Sequence, residues 1–492
     1  ADDTDQAERF VETLGGKVIK ELELIHSFAA LVPSKAVPQL ANLAAVNWVS
    51  LDAPMVSAVK PGTEPDPTVG YLPNYYIDTL GVRQVWEMGL RGEGVGVAVI
   101  DSGIFMDRDF SEIPGKPQMR IDKAVSFNGD TTTDIYGHGT HVAGIVGGNG
   151  TASGEFYSGI APKVNFINLK ISDEYGMAYE SDTVEALKWA LDNKEAYNIR
   201  VVNLSINSTV ESSYNESPID VALEILWFNG IVVVASSGNK GPDGGYNTVN
   251  AAPANDPFVI TVGSSDEHGT SDRADDSIAP FSSLGTTSDG FIKPEINAPG
   301  VNIISVLASA SDWEAMAPDR VLVDGEYFRI SGTSMAAPMV TGAVALLLQS
   351  EPDLTPDQVK YRLTHATGWL DGTPYLDVFS LITTPTTESA NQGIKPHDLL
   401  AKMAMIAYWA SAEGEENIDW DAVNWNAVNW NAVNWNAVNW NAVNWNAVNW
   451  NAVNWNAVNW NAVNWNAVNW NAVNWNSVNW NAVNWNSVTW SE

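Results

Sequence analysis

Four polar residues stand just after apolar, strand-like runs or at the start of a helix, where side chains can be brought together for catalysis. Asp101 follows the run GVGVAVI, and His138 lies among glycines in YGHGTHVAG. Ser334 lies in SGTSMAAP, as a long apolar helical stretch begins, and Asn239 follows IVVVASSG. Taken singly, each residue type has an ordinary structural role as a helix cap or in a turn.

Together, the four residue types supply the groups that a nucleophilic serine needs. Serine is a weak nucleophile until a base removes its proton, and imidazole titrates in the right range. A buried carboxylate fixes the imidazole tautomer, and the chain order Asp, His, Ser is one of the known orders of such a triad. A serine at a helix start brings a backbone N–H near a developing oxyanion, and an Asn amide can supply a second donor. The pattern therefore favours catalysis by Ser334.

Short apolar runs alternate with helical stretches between about residues 80 and 408. The runs GVGVAVID, VNFINLKI, VVNLSI, IVVVAS and FVITVG predict strands, and SDTVEALKWALDN and SPIDVALEILWFNG predict helices. This alternation predicts an α/β fold with a mainly parallel sheet and helices on both faces. Since ligands bind beyond the carboxyl ends of the strands in such sheets, the polar residues that follow the runs are expected at the site.

Composition excludes several other kinds of protein. The 492 residues carry a formal net charge of −34, which argues against nucleic-acid binding. No cysteine is present, which excludes disulfides, thiolate zinc sites and a cysteine nucleophile. No apolar run approaches a membrane-spanning length, so no transmembrane segment is expected. The chain starts at Ala1 without Met, as after removal of a signal peptide, although an arbitrary first residue would look the same.

The residues before the central region predict a small α+β, ferredoxin-like unit over 1–59. ERFVETLGG and PSKAVPQLANL predict two helices, and KVIKELELI, SFAALVP and VNWVSLD predict three strands. Residues 60–79 are rich in Pro and Gly and predict a linker. A second linker is expected at 409–417, before the composition collapses to Val, Asn, Trp and Ala at 418–492.

The segments VAVIDSGI, HGTHVAG, ASSGN, KPEINAPG and SGTSMAAP resemble the signature segments of subtilisin-like serine proteases, and the resemblance covers about residues 80–408. It implies a secreted endopeptidase that hydrolyses proteins or peptides through an acyl-enzyme, without a cofactor for catalysis. By this resemblance, Asp101 orients the imidazole, His138 is the general base and acid, Ser334 attacks, and Asn239 helps to bind the oxyanion.

The resemblance also implies where substrate binds. An extended substrate strand would add to the edges of VNLSIN and KISDEYG. The residues expected to line the two sides of the first pocket are Ser205, Ile206 and Asn207, and Ser236, Ser237 and Gly238. Many relatives carry Gly at the position of Asn207, so this side chain is expected to narrow the pocket.

Two further expectations rest on the resemblance. Many subtilisin-like enzymes bind structural calcium, and the loop NGTASGEFYSGIAP stands where relatives often carry a site, with Asp109 as one candidate ligand. The front segment resembles the inhibitory propeptide of these enzymes, which would be cleaved near 57–75 and would act as an intramolecular inhibitor. The alternative is a permanent accessory domain.

Five-residue units of the type VNWNA repeat fifteen times from Ile418 to Glu492. A period of five spreads Trp around a helix, so β structure is predicted. The chain would either turn at each unit to form a solenoid, pair its strands with other molecules, or form a flexible wall- or sugar-binding tail. The pattern also resembles pentapeptide repeats, which form a four-sided β-helix, but Trp replaces their usual Leu or Phe, which argues against four sides.

Two functions are consistent with these features. The first is a secreted endopeptidase made as a proenzyme, with a tail for self-assembly or attachment to a cell surface. The second is a structural or adhesive protein that assembles through the tail and uses the protease fold mainly as a scaffold. All four catalytic residue types are present, which favours the first.

Overall fold

Helices form at all of the predicted runs, and further helices form outside these runs. Those in the described part of residues 1–400 are α1 (Asp2–Thr13), α2 (Val37–Ala41), α3 (Tyr76–Thr79), α4 (Val82–Glu87), α5 (His138–Gly147), α6 (Glu180–Asp192), α7 (Pro218–Phe228), α8 (Asp312–Met316), α9 (Thr333–Ser350), α10 (Pro356–His365) and α11 (Val378–Thr383). Helix α1 begins six residues before ERFVETLGG, and α2 covers only five residues of PSKAVPQLANL.

The β-rich runs form strands in the same part of the chain. They are β1 (Lys17–Leu22), β2 (Ser27–Leu31), β3 (Pro54–Ser57), β4 (Gly96–Asp101), β5 (Ile121–Ser126), β6 (Asn165–Lys170), β7 (Met177–Tyr179), β8 (Ile199–Leu204), β9 (Ile206–Ser208), β10 (Val232–Ser236), β11 (Ile260–Asp266), β12 (Ser277–Ile278), β13 (Gly285–Thr286), β14 (Ile292–Lys293), β15 (Ile296–Pro299), β16 (Ile303–Val306), β17 (Val321–Leu322), β18 (Tyr327–Ile330), β19 (Gly368–Leu370) and β20 (Thr373–Tyr375).

These bounds come from a computed structural model of the chain. It describes residues 2–43, 45–57, 74–112, 118–241, 248–309 and 311–400, and short strand segments between 425 and 491. The chain separates into two compact units, 1–389 and 390–492. The predicted linker 409–417 and most of the linker 60–79 lie outside the described residues.

One large sheet carries the core of the first unit. Its strand order is β5–β6–β4–β8–β10–β11–β15–β20–β19, with β12 beside β11. All neighbours from β5 to β20 pair in parallel. Every residue of β4 and β10 is buried, because helices such as α5, α7 and α9 pack against the sheet. The predicted α/β fold with a mainly parallel sheet is confirmed.

The direction of the strand order reverses at β4, which lies inside the sheet between β6 and β8. Parallel strands end at the same edge of a sheet, and a reversal of this kind leaves a crevice there. Asp101 ends β4, Ser205 directly follows β8, and Asn239 follows β10. The topology thus places three of the expected site residues along one edge.

Helix α9 is buried along almost its whole length. It packs against β8, β10, β11 and β15 in the core. By length and composition it is the one described helix that could cross a membrane, but 89% of it is buried inside the structure. Its apolar character is accounted for by this packing in the core.

The N-terminal segment forms a two-stranded antiparallel sheet, β1 with β2, against which α1 packs. The predicted strand at 46–52 is wrong, because no strand is present there and the last strand is β3, at Pro54–Ser57. This strand does not join β1 and β2 as a ferredoxin-like unit would require. It pairs instead with β7 and β9 of the following region, whose free edges offer hydrogen bonds on both sides.

The described parts of the repeat are short strands at every fifth residue. They are β21 (Trp425–Asn426), β22 (Asn429–Asn431), eleven three-residue strands from Asn434–Asn436 to Asn484–Asn486, and a last strand at Thr489–Ser491. Each pairs in parallel with the strand twenty residues away, as Asn429 does with Asn449. Four separate sheets result, which correspond to the sides of a coil with four strands per turn. The pairing is that of the solenoid alternative, and it has four sides despite the Trp residues.

Deleting the chain from Ile418 onward is expected to leave its oligomeric state unchanged, because the tail strands find their partners within one chain. Light scattering of the full and shortened chains at matched concentrations provides the measurement. If the full chain forms an oligomer with more copies than the shortened chain does, the tail pairs between molecules.

Candidate active site

Asp101 and His138 form a buried hydrogen-bonded pair. His138 is the first residue of α5 and follows Gly137, whose φ of 107° lies in the region that favours glycine. Nδ1 of His138 is 2.7 Å from Oδ1 of Asp101, and neither side chain has exposed surface. Nε2 of His138 has no hydrogen-bond partner within the described residues. A carboxylate on Nδ1 holds the proton there and leaves Nε2 to act as a base.

A second buried carboxylate, Asp134, holds the start of α5 in place. Its two oxygens accept hydrogen bonds from the Gly137 N–H at 2.7 Å and from the N–H and hydroxyl of Thr140 at 2.8 and 2.6 Å. The hydroxyl of Ser102, next to Asp101, donates to it at 2.9 Å. Burial raises the pKa of Asp134, although the hydrogen bonds from Thr140 and Gly137 oppose the shift. Sequence reasoning missed this residue, since an Asp four positions before His138 carries no signal of its own.

Ser334 lies in the first turn of α9, which packs against α5. Its hydroxyl donates to the Ser205 carbonyl at 2.8 Å, and the Ser205 hydroxyl donates to the Ser334 carbonyl at 3.0 Å. In this geometry the hydroxyl is bound to Ser205 rather than to Nε2 of His138.

The Asn239 amide is oriented with its N–H groups available. Its Oδ1 accepts from the Thr333 N–H at 3.0 Å and from the Thr333 hydroxyl at 3.1 Å. Its Nδ2 is buried and has no partner among the described residues. A buried donor without an acceptor costs free energy, and such donors concentrate where a ligand will bind. This is the geometry expected of a group that stabilises a developing oxyanion beside Ser334.

The strand β3 lies between β7 and β9 and is antiparallel to both. Met55 faces Ala178 on one side and Ser208 on the other, and Ser57 faces Ile206. Within VNLSIN, Ile206 and Asn207 belong to β9, and KISDEYG comes directly before β7 at Met177–Tyr179. That a substrate strand adds to these edges stays a prediction.

The residues predicted for the first pocket form two sides joined by hydrogen bonds. Asn207 donates from Nδ2 to the Ser236 carbonyl at 3.0 Å and accepts from the Ser236 hydroxyl at 3.3 Å. A Cβ added to Gly238 would lie 3.7 Å from Oδ1 of Asn207. The hydroxyl of Ser237 is buried without a partner among the described residues. The Asn207 side chain thus bridges the two predicted sides. That it narrows a substrate pocket stays a prediction.

Aromatic rings pack against the His138 imidazole. The Trp313 ring packs edge to face against His138 and His141, with centroids 5.9 and 5.8 Å apart, and also contacts Tyr136 at 5.8 Å. Trp313 is only 4% exposed. This packing restricts rotation of the His138 ring. Sequence reasoning missed Trp313, because it belongs to a segment without motif, 175 residues after His138.

His141 has a structural role. Its Nε2 lies 2.9 Å from the Phe328 carbonyl, and burial lowers its pKa to about 3. The ring is therefore neutral at physiological pH and donates a hydrogen bond to that carbonyl. Asp109, the candidate calcium ligand, lies in the turn after β4, and neither of its oxygens contacts the residues of the site.

The fold and the site define this protein as a serine endopeptidase of the Asp–His–Ser class. The chain belongs to the subtilase family, whose sequence profile matches residues 92–397. It is similar to serine protease AprX of Bacillus subtilis, with 39% identity over 58% of this chain and 64% of that protein. It is also similar to subtilisin NAT of Bacillus subtilis subsp. natto and subtilisin E of Bacillus subtilis, each with 31% identity over 73% of this chain and 80% of the relative. The chain thus spans slightly less than two thirds of AprX.

Replacing Asn239 by Ala is expected to lower kcat on a peptide substrate by about 10²–10³, with little change in KM, since the lost donor acts mainly on the transition state. This magnitude is taken from the corresponding donor in subtilisin itself. Steady-state kinetics of the purified variant provide the measurement.

The matched control is Asn229→Ala, which removes an Asn at the end of α7. An Asn239→Ala enzyme with unchanged kcat and a raised KM would contradict a transition-state role.

Proposed function

We propose that this chain is a secreted endopeptidase made as a proenzyme, with Ser334 as nucleophile, His138 as general base and acid, Asp101 as orienting carboxylate and Asn239 as oxyanion donor. The observation that carries the proposal is the site itself. Nε2 of His138 and Nδ2 of Asn239 are both buried without partners among the described residues. Both are groups that hydrolysis requires, and a fold used only as a scaffold has no need to keep them unsatisfied.

Acylation proceeds by transfer of the Ser334 proton to Nε2 of His138 while Oγ attacks the substrate carbonyl carbon. The Asp101 carboxylate keeps the Nδ1 proton and stabilises the imidazolium. The Asn239 amide and the Ser334 backbone N–H bind the oxyanion. The tetrahedral intermediate then collapses, the C–N bond breaks, and the proton passes from Nε2 to the leaving amine.

Deacylation reverses these roles, with water in place of the amine. The water gives a proton to Nε2 and attacks the acyl carbon, and Ser334 regains its proton as the acid product leaves. In the described geometry, Ser334 donates to Ser205. Rotation of this hydroxyl towards Nε2 is therefore part of activation.

Residues 1–59 act in this proposal as an inhibitory propeptide. The last strand, β3, occupies the edges of β7 and β9, where an extended substrate would bind. Met55, which is fully buried, accepts a hydrogen bond on its sulfur from the Thr183 hydroxyl at 3.1 Å. The segment thus behaves as a substrate that the site holds.

Charged and polar contacts fix the remainder of this segment to α6. Lys20 forms ion pairs with Asp182 at 2.6 Å and Glu185 at 2.8 Å. Asp52 accepts from the N–H and hydroxyl of Ser181, at 3.0 and 2.9 Å, in the first turn of α6, where a carboxylate is favoured. These contacts also fit a permanent accessory domain. Occupation of the substrate edges favours the propeptide, since a permanent domain there would block the enzyme.

Of the two roles expected for the tail, self-assembly and attachment to a cell surface, attachment is the one proposed here. Pairing of the described strands within one chain supports attachment, because no second molecule is needed to satisfy the backbone. Secretion is proposed from the relationship to the subtilisins.

Replacing Ser334 by Ala is expected to stop processing, so that the chain keeps its full mass, while the unaltered chain is cut within 57–75. A serine-directed fluorophosphonate is expected to label the processed chain at Ser334 only. Intact-mass and peptide mass spectrometry measure both outcomes.

The matched control is Ser350→Ala, which removes an exposed hydroxyl at the other end of α9 and should be processed and labelled normally. A processed chain that takes no label would refute the enzyme and favour the scaffold function. A Ser334→Ala chain that is still cut would refute self-processing alone.

Release of the propeptide is expected to quicken as pH rises from 6 to 8. The N–H of Glu180 donates to the Ala53 carbonyl at 3.1 Å, and its carboxyl accepts from the Ser208 hydroxyl. Burial, reinforced by the Asp52 charge, raises the pKa of Glu180 to about 7. Release returns this carboxyl towards its ordinary, lower pKa, so the extra stability of the complex is present at low pH and is lost as pH rises through 7.

The measurement is an active-site titration at one fixed pH, after incubation of the processed complex at pH 6 or pH 8. Glu180→Gln should release its propeptide at a rate that no longer depends on pH, whereas Glu216→Gln, at an exposed position, should behave like the unaltered chain. Equal pH dependence in both variants would show that another group controls release.

A further inference from the structure

The Asp109 carboxylate is fully buried, and protein donors satisfy both of its oxygens. Oδ1 accepts from the Ala152 N–H at 2.7 Å. Oδ2 accepts from the Tyr327 hydroxyl at 2.6 Å. Tyr327 comes from β18, far along the chain, and has no exposed surface. A buried carboxylate is tolerated only when it is hydrogen-bonded or paired with a cation, and here two donors supply the hydrogen bonds.

The chain also supplies the positive charge at this place. The guanidinium of Arg120 is buried and donates to the backbone carbonyls of Gly147 and Val164 at 2.7 Å and of Asp109 at 3.0 Å. It also lies over the Phe166 ring, 5.6 Å from the centroid. Burial lowers the pKa of Arg120 to about 10, so the group stays charged at neutral pH. The backbone carbonyl oxygens that could have bound a metal ion here accept hydrogen bonds from the Arg120 guanidinium instead.

The loop that follows α5 uses its own side-chain oxygens in the same way. Oδ1 of Asn149 accepts from the N–H and hydroxyl of Thr151 at 3.0 and 2.5 Å. The Tyr327 hydroxyl is also 3.1 Å from Oγ of Ser153 in this loop. Calcium needs six to eight oxygen ligands, several of them carboxylate or carbonyl oxygens. Within the described residues, no group of three or more Asp, Glu or His is placed to hold a metal ion.

The oxygens around Asp109 therefore do not fit a calcium ion. We propose that Arg120 and Tyr327 take the place of a structural calcium ion at this loop. They hold the segment that follows α5 in position without a divalent cation. Arg120 binds the end of α5 through the Gly147 carbonyl, and Asp109 joins the turn after β4 to β18. The two elements that carry His138 and Asp101 are thus held together by side chains. This inference does not depend on the proposed propeptide or tail.

The test is thermal unfolding of the full chain carrying Ser334→Ala, so that self-digestion does not contribute, in excess EDTA or in CaCl₂ at equal ionic strength. This otherwise unaltered chain is compared with the same chain carrying Tyr327→Phe. The unaltered enzyme is expected to unfold at the same temperature in both solutions. Tyr327→Phe should unfold roughly 3–6 °C lower in EDTA, because a buried carboxylate oxygen loses its donor.

Two further variants make the result specific to this loop. Tyr175→Phe removes a hydroxyl from a side chain that is 70% exposed and should unfold like the unaltered enzyme. Asp109→Asn removes the carboxylate itself. Calcium stabilisation that is present in the unaltered enzyme and absent in Asp109→Asn would overturn the proposal, as would a Tyr327→Phe enzyme that is as stable as the unaltered one.

Two other outcomes would support the proposal. If calcium stabilises the unaltered enzyme and Asp109→Asn by the same amount, the ion binds at another place in the protein. Calcium that stabilises only Tyr327→Phe shows that the hydroxyl normally occupies the ligand position. If Asp109→Asn does not fold, the comparison of Tyr327→Phe with the unaltered enzyme still decides the question.

Discussion

At the carboxyl edge of the sheet, a carboxylate and an imidazole without exposed surface meet at 2.7 Å. Burial makes this contact demanding, because an unpaired carboxylate inside a protein costs several kcal/mol. The positions of both the carboxylate and the imidazole therefore have to be fixed by the structure around them. Asp101 ends a strand buried at every residue, and His138 opens a helix whose first turn is tied to Asp134. Much of the surrounding structure holds these two side chains at hydrogen-bonding distance.

A separate three-stranded sheet, formed by β7, β3 and β9, creates a second constraint. The strands β7 and β9 are three residues long and face each other across a gap, so each has an unpaired edge. Unpaired edges bind extended chains. In this protein the chain fills the gap with its own residues Pro54–Ser57. The proposed modes of substrate binding and of inhibition thus share one physical origin with the path of the N-terminal segment.

Buried charge is a third recurring theme. The structure places an acidic side chain, Asp109, under the loop that follows the catalytic helix and satisfies it with Tyr327 and Ala152. Arg120 satisfies the neighbouring carbonyls. In this way the site gains rigid support from residues that take no part in the chemistry.

The sequence by itself determined the α/β class, the five core strands and the four residues proposed for catalysis. Apolar runs predict buried strands, and a motif such as HGTHVAG predicts a turn that requires glycine. Both predictions depend mainly on residues that are neighbours in the chain. The solenoid form of the tail was left open by its period, and strand pairing at twenty residues decided it. The partner of β3 and the contacts of Trp313 and Tyr327 were decided only by the tertiary structure. These contacts join residues that are far apart in the chain. The residues next to each of them in sequence do not determine which strand edge, ring or carboxylate it contacts in the folded protein.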